Sequence, residues 1–239
     1  MKLIFATGNP GKLHEAREIL GPSYEVLGPA DLGLDWEIEE TGNTFKENSL
    51  LKAKHIFAQC GLPCFADDSG LEVDALDGAP GIHTARYASD HNFADNIAYL
   101  LFKLGSIFPS QEGCKDTPLK EAQEGCKSTV LAEAQEGCKN TFSRDLFPGA
   151  ARFRCVITLI LKDGTPHFFE GTVEGRIARQ AYGEHGFGYD PVFVPDAFPD
   201  KTMAELSDEV KNSISHRGVA LRALSEFLEN KRSFLFKQL

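Results

Sequence analysis

Three short stretches bring together side chains able to do chemistry. The first, Thr7-Gly8-Asn9-Pro10-Gly11-Lys12, joins a tight turn, N–H groups at a helix start and a first-turn lysine. That combination suits an anionic phosphate. It lacks the P-loop spacing, since no second glycine precedes a Lys-Ser/Thr pair, and alone it reads equally as an ordinary strand-to-helix turn. The second is Asp67-Asp68 before Ser69-Gly70, with Glu39-Glu40-Thr41-Gly42 upstream. Carboxylates of this kind are the hard oxygen ligands Mg²⁺ takes, and the plainer alternative is a solvated acidic turn. The third lies near the carboxyl end. Phe187-Gly188-Tyr189-Asp190 sets two aromatics around a glycine, and Ser215-His216-Arg217-Gly218 brings an imidazole and a guanidinium to a helix start. Such groups can stack on a purine and hydrogen-bond to it. Lys211 can meet a phosphate or the base. Core packing for Phe187, helix capping for His216 and simple solvation for Lys211 are the competing structural roles.

The elements that must position these groups follow from periodicity and punctuation. Residues 2–7 read as a buried strand, 8–11 as a glycine-bearing turn and 12–20 as a helix stopped at Gly21-Pro22. Residues 24–27 suit a second strand. Thr44-x-x-Glu47 is a capping box opening a helix that ends before Gly61, although Phe45, Leu51, Ile56 and Phe57 follow helical spacing only roughly. Residues 63–66 start another strand running into the acidic pair, which is expected at a break between strands before apolar alternation resumes over 71–76. Residues 94–104 suit a helix. Residues 153–161 alternate Phe153, Cys155, Ile157, Leu159 and Leu161 against a second apolar face, which predicts a central strand. Asp163-Gly164 turns it into a hairpin with residues 167–174. A glycine-rich stretch over 182–189 leads to Pro191-Val-Phe-Val-Pro195, and residues 215–228 form a last amphipathic helix with Leu221, Leu224, Phe227 and Leu228 inward. Helices alternating with strands and hairpins give an α/β fold with a mixed sheet.

With 239 residues, 42% of them hydrophobic, the chain can bury a substantial core. A net charge of -10 argues against nucleic-acid backbone binding, which needs a basic face. No signal-like leader and no run of eighteen apolar residues occurs, so the expectation is a cytoplasmic protein without a membrane partner. Its six cysteines are then expected reduced. Three of them, Cys114, Cys126 and Cys138, fall in a QEGCK motif repeated every twelve residues. A twelve-residue step along one helix would turn successive cysteines by roughly 120°, so they share no face. The period is also too short for a solenoid, and metal-ligand spacing is approached only at Cys60-x-x-x-Cys64, without a matching second pair. The repeat occupies a helix-to-strand connection.

Taken in order, TGNPGK, EETGNTFKENSLLKA, ADDSGLEVDALDGAPGIHTARY, GFGYDPVF, KTMAEL and SHRGVAL resemble the motif series of the inosine triphosphate pyrophosphatase family, the XTP/dITP diphosphatases. The resemblance covers residues 2–228 except about 105–149, where family members have a shorter connection. It implies one domain over residues 1–239 with an inserted tandem-repeat segment at about 105–149. It also implies a mixed central sheet flanked by helices, with two lobes and the active-site cleft between them.

The implied activity is Mg²⁺-dependent hydrolysis of non-standard purine nucleoside triphosphates (ITP, dITP, XTP) to the monophosphate and pyrophosphate, by a homodimer. Asp68 corresponds to the proton acceptor and, with Glu40, to the metal ligands. Thr7, Gly8, Asn9, Pro10, Gly11 and Lys12 correspond to the phosphate-holding loop, and Ser69 to a substrate contact. Asn48 and Lys52, one helical turn apart, face the phosphates in this reading. Phe187, Gly188, Tyr189, Asp190, Lys211, His216 and Arg217 correspond to the base pocket. The alternative is a nucleotide-binding regulatory protein acting through a partner docked on the insertion, in which the water-activating carboxylate has no use. A third reading is a related pyrophosphatase for modified pyrimidines or ordinary triphosphates.

Overall fold

Strand β1 (Lys2–Phe5) is buried on all but its first residue and feeds helix α1 (Pro10–Leu20). The helix begins two residues earlier than its spacing predicts, because Asn9 caps it: the Asn9 side-chain oxygen accepts from the N–H groups of Gly11 and Lys12 at 2.9 and 3.2 Å. Pro10, which has no N–H to offer, occupies the first turn where none is needed. Gly21 ends the helix, and strand β2 (Glu25–Leu27) returns parallel to β1. The computed structural model describes residues 1–109 and 145–236; the QEGCK repeat with Cys114, Cys126 and Cys138 lies outside them.

Helix α2 (Phe45–Cys60) opens at Thr44, whose hydroxyl accepts from the Glu47 N–H at 3.1 Å. The Glu47 carboxylate reaches back to the N–H of Asn43, at 2.6 Å, so the expected box closes one residue further out. The buried face of α2 is Phe45, Asn48, Ser49, Ala53 and Ile56. Two polar residues in that stripe explain the imperfect apolar spacing, since this part of the helix walls a polar site. Ser49 is satisfied there by a 2.7 Å hydroxyl contact with Thr158.

The largest departure from expectation is strand β3 (Cys64–Val73), which runs unbroken through Asp67 and Asp68. All ten of its residues pair in antiparallel register with β4 (Ala151–Ile160), from Cys64 opposite Ile160 to Val73 opposite Ala151. No break at the acidic pair is needed, because each carboxylate finds cationic partners that make its burial tolerable. Among the described residues the sheet has six strands in the order β2-β1-β3-β4-β5-β6, with β5 at Pro166–Ile177 and β6 at Phe193–Pro195. β1 is parallel to β2 and β3, and the later pairs are antiparallel. The architecture is a mixed α/β sheet flanked by helices, with β4 central and the β4–β5 hairpin turning at Asp163-Gly164 as the sequence predicts.

Apolar residues collect in three clusters. On one face of the sheet Leu3, Phe5, Phe65, Cys155, Ile157 and Leu159 meet α1 and helix α5 (His216–Phe236), which presents Ala220, Leu221, Leu224 and Leu228. On the other face Ile4, Ala66, Cys64 and Ile160 meet Ala53 and Ile56 of α2. The far halves of β3 and β4 supply Leu71, Val73 and Phe153 to a third cluster, with Leu100 and Leu104 of helix α3 (Phe93–Ile107), Tyr189 and Phe193. Each fully buried aliphatic or aromatic side chain here contributes about 1.5–3 kcal/mol, which fixes the strands against their helices. The close approach of α5 depends on Gly171 of β5, where a β-carbon would run into the backbone of His216 and Ala220. A short helix, α4 (Asp208–Ile214), precedes α5; the sequence reading did not foresee it, although Ser207 caps it. Arg179 donates to the Phe108 carbonyl and to the Asp145 carboxylate, both at 3.1 Å, and so holds the two chain segments that border residues 110–144.

Candidate active site

Successive side chains of a strand point to opposite faces, and this alternation divides the site. Asp68, like Ala66, faces α2. Its carboxylate accepts from Asn48 Nδ2 at 3.2 Å and from Lys52 Nζ at 3.0 Å, and the same ammonium lies 2.8 Å from Glu40. Arg86 stands 3.9 Å from the other Glu40 oxygen. Burial raises the Asp68 carboxyl above its ordinary value, with Lys52 opposing and Glu40 adding to the rise. Burial alone would lower Lys52, but Asp68, Asp67 and Glu40 together hold it above its ordinary value, so it is an ammonium ion. Asn48 and Lys52, expected to face phosphates, are thus turned toward the carboxylate pair.

Asp67 faces the other way, as Phe65 does, toward α1 and α5. It accepts from Lys12 Nζ at 3.0 and 3.1 Å, from Arg217 Nε at 3.1 Å and from the Ser69 hydroxyl at 2.9 Å. Burial would raise its pKa, yet Lys12 and Arg217 outweigh burial and hold it far below the carboxylate range. Arg217 is 3% exposed and also donates to Glu15 at 2.7 Å and to Ser69 at 3.4 Å. The two halves are electrostatically continuous, because Lys52 also acts on Asp67 and Lys12 on Asp68.

The loop residues Thr7 to Lys12 are drawn together by their own hydrogen bonds: the Asn9 N–H donates to Thr7 Oγ1 at 3.1 Å. The N–H groups of Gly11 and Lys12, expected free for an anion, are taken by the Asn9 side chain. Gly8 is covered by Trp36, since a β-carbon at Gly8 would drive into the indole. Trp36 is 43% exposed and sits on the irregular segment leading to Glu40. That segment is tied to α2 by paired hydrogen bonds between Gln59 and the Asp35 backbone and by Gly42 donating to Asn48.

In the third stretch Phe187 is 41% exposed, with the Lys211 ammonium 4.7 Å and the Arg217 guanidinium 5.5 Å from its ring centre. Buried Asp190 accepts from Lys211 at 2.6 Å and from the Phe187 N–H at 2.9 Å, and burial raises its pKa against the pull of Lys211. Gly188, at φ +67°, lets the chain place Phe187 outward and Tyr189 inward. Tyr189 is 1% exposed, sits edge-on to Phe93 and donates its hydroxyl to the Thr84 carbonyl. The two aromatics expected to flank one ligand therefore part company. His216 is buried and stacked on Phe153, and its Nδ1 has no hydrogen-bond partner among the described residues. Burial, with Arg217 adding to it, keeps this imidazole neutral.

Glu15, Trp36 and Arg86 were not singled out from sequence, and Asp67 was named only as half of the acidic pair. Glu15 had a legible signal, a charged residue on the inward stripe of α1 beside Ala16 and Leu20. Trp36, the chain's one tryptophan, had none beyond its type.

A mixed sheet whose interior strand β3 carries two carboxylates matched to cations, beside an asparagine-capped glycine turn, defines an α/β protein with a charged candidate site. A model of the Ham1 family matches residues 3–137 and 133–227, and the chain belongs to that family. It is 42% identical over 228 residues to a dITP/XTP pyrophosphatase of Porphyromonas gingivalis, covering 95% of this chain and 97% of the relative. A dITP/XTP pyrophosphatase of Bacillus subtilis is 39% identical over 228 residues, covering 95% and 96%. Among solved structures, the Staphylococcus aureus Ham1 protein superposes with a TM-score of 0.72 at 39% identity, covering 97% of this chain and all of that one. A HAM1 protein from Coxiella burnetii gives 0.74 at 34% identity, covering 96% and 99%.

Proposed function

We propose that this chain is a nucleoside triphosphate pyrophosphatase that hydrolyses non-standard purine triphosphates, dITP, ITP and XTP, to the monophosphate and pyrophosphate. Relatives named dITP/XTP pyrophosphatase, about 40% identical over nearly the whole chain, support that activity. The observation that carries the chemistry is the Lys52 ammonium held at 2.8 Å from Glu40 and 3.0 Å from Asp68, beside the lysine-bearing loop.

That carboxylate pair fits Mg²⁺. Its donors are hard oxygens, it already accommodates a positive charge, and Mg²⁺ characteristically takes one or two carboxylates and completes its shell with water and phosphate. Glu40 and Asp68 would hold the ion, which supplies neutralisation of the phosphate oxygens. Asp68, made more basic by burial, accepts the proton of the water that attacks the α-phosphorus. The bond from that phosphorus to the bridging oxygen breaks, and pyrophosphate leaves against the charges of Lys12 and Lys52.

Phe187, 41% exposed, offers an aromatic ring for a purine to stack on, beside the Lys211 ammonium that lies over that ring. Donors placed for a 6-oxo group are left unpaired by the 6-amino group of adenine, a mismatch able to reduce rate by several powers of ten. Guanine is excluded through its 2-amino group in this reading. The two-lobed arrangement is supported by the division of the core at the Asp67–Ser69 level of β3. The repeat-bearing connection is read as an addition outside the chemistry, since the segments bordering it meet at Arg179. A homodimer remains the expected assembly, to be read by light scattering.

The test is pyrophosphate release from ITP, XTP, dITP, ATP, GTP and dUTP with Mg²⁺. Preference for the first three by a hundredfold or so in kcat/KM is expected. Absence of turnover would favour the nucleotide-binding regulatory reading, and equal rates on ATP or dUTP would favour a broader pyrophosphatase.

A further inference from the structure

Arginine and carboxylate ordinarily meet through two parallel N–H···O bonds. Arg217 and Asp67 do not: only Nε reaches Asp67, at 3.1 Å. Nη2, the nitrogen that completes a fork with Nε, turns instead toward the Ser69 hydroxyl at 3.4 Å, while Nη1 is drawn to Glu15 at 2.7 Å. Glu15 is itself fixed, because its second oxygen accepts from the Ser215 hydroxyl at 3.2 Å and the residue is 7% exposed in the interior of α1. The consequence appears on the far carboxylate oxygen. Asp67 Oδ1 receives Lys12 alone, at 3.1 Å, whereas Oδ2 is shared by Lys12, Arg217 and Ser69.

We propose that Glu15 is a positioning residue for the phosphate loop: by anchoring Nη1 it fixes the orientation of the Arg217 guanidinium with Nη2 toward Ser69 and away from Asp67 Oδ1, and so reserves Asp67 Oδ1 for Lys12. The four groups Lys12, Asp67, Arg217 and Glu15 balance two positive charges against two negative ones across α1, β3 and α5. Without the Glu15 charge, two cations compete for one carboxylate. The guanidinium, planar and fully buried, wins that competition with a bidentate pair, and the more exposed Lys12 is released from the place where it meets phosphate. Glu15 touches no ligand in this scheme. Its effect on anion binding passes through Arg217 and Asp67 and ends at Lys12.

This inference rests on the loop being the pyrophosphate-holding part of the site. The experiment is a double-mutant cycle read by inorganic pyrophosphate binding and by ITP kinetics, on the full-length chain with Glu15→Gln, Lys12→Met and the double variant. Glu15→Gln is expected to raise the pyrophosphate dissociation constant and the KM for ITP on the order of tenfold, with a smaller change in kcat. In the Lys12→Met background the same substitution should change pyrophosphate affinity less than twofold, because the group it positions is gone. A purely structural role for Glu15 would give the same loss in both backgrounds, and that additivity would overturn the proposal. So would unaltered pyrophosphate binding by Glu15→Gln. Should Glu15→Gln not fold, Glu15→Asp keeps the charge and withdraws the oxygen by one methylene, and it carries the same comparison. Wild-type turnover of ITP reports separately on the functional reading, so a cycle that is additive in an active enzyme refutes the role of Glu15 alone.

Discussion

Asp67 and Asp68 are chemical twins in sequence and opposites in the fold. Asp67 is surrounded by donors, ionised far into acid and engaged with α1 and α5. Asp68 is buried with weaker compensation, raised above its ordinary value by burial, and faces α2 with Glu40 and Lys52. The difference teaches that an acidic pair in an unbroken strand is two sites. One residue is tied into the packing of α1 and α5, and the other, facing Glu40 and Lys52, is the one for which we propose the chemistry.

The comparison is broken most directly at Asp68. Asp68→Asn should reduce pyrophosphate release about 10²–10⁴-fold while leaving the urea midpoint of the metal-free protein nearly unchanged. Asp67→Asn should do the reverse in character, removing the partner of buried Arg217 and of Lys12 and costing about 3–5 kcal/mol of stability in urea unfolding. The pH dependence sharpens the contrast. Because folding depresses the Asp67 pKa, its contribution is present above the unfolded value near 4 and is lost as pH falls through the folded value. The stability gap between wild type and Asp67→Asn should therefore close in acid. For Asp68 the folded pKa is raised, so its ionised form costs stability at neutral pH and that cost disappears as pH falls through the raised value; any advantage of Asp68→Asn should shrink in acid. Phe187→Ala tests a region outside both faces and should weaken inosine monophosphate binding by about 1–3 kcal/mol, read by calorimetry. The smallest effect is expected from replacing residues 110–144 with a short linker, which should leave kcat/KM for ITP within about twofold, since none of the candidate site residues falls in that stretch.

The order of elements was legible because strand alternation, helix caps and the Asp163-Gly164 turn act locally. The central placement of β4 followed from apolar residues on both its faces, and α5 from its inward leucines. The sequence reading failed at β3, where two adjacent carboxylates argued for a break; their cations come from Lys12, Lys52 and Arg217, as far as 150 residues away. Local spacing does not encode such compensation. The same holds within the site. The motif series pointed to Phe187, Lys211 and the loop, yet the inward turn of Tyr189 depends on Gly188 and the Phe93 ring. The engagement of Arg217 by Glu15 depends on α1 and α5 packing together, the partners being 202 positions apart.

The indole of Trp36 lies over Gly8 with part of its surface in water, and the chain has no other tryptophan. Light absorbed near 295 nm, a wavelength of roughly tryptophan-only absorption, therefore reports on a single location, the roof of the phosphate loop. Titrating pyrophosphate against the unlabelled protein should shift or quench that emission, while urea should red-shift it as the loop loses its cover. The fold thus carries its own optical gauge of whether the loop is filled, empty or undone.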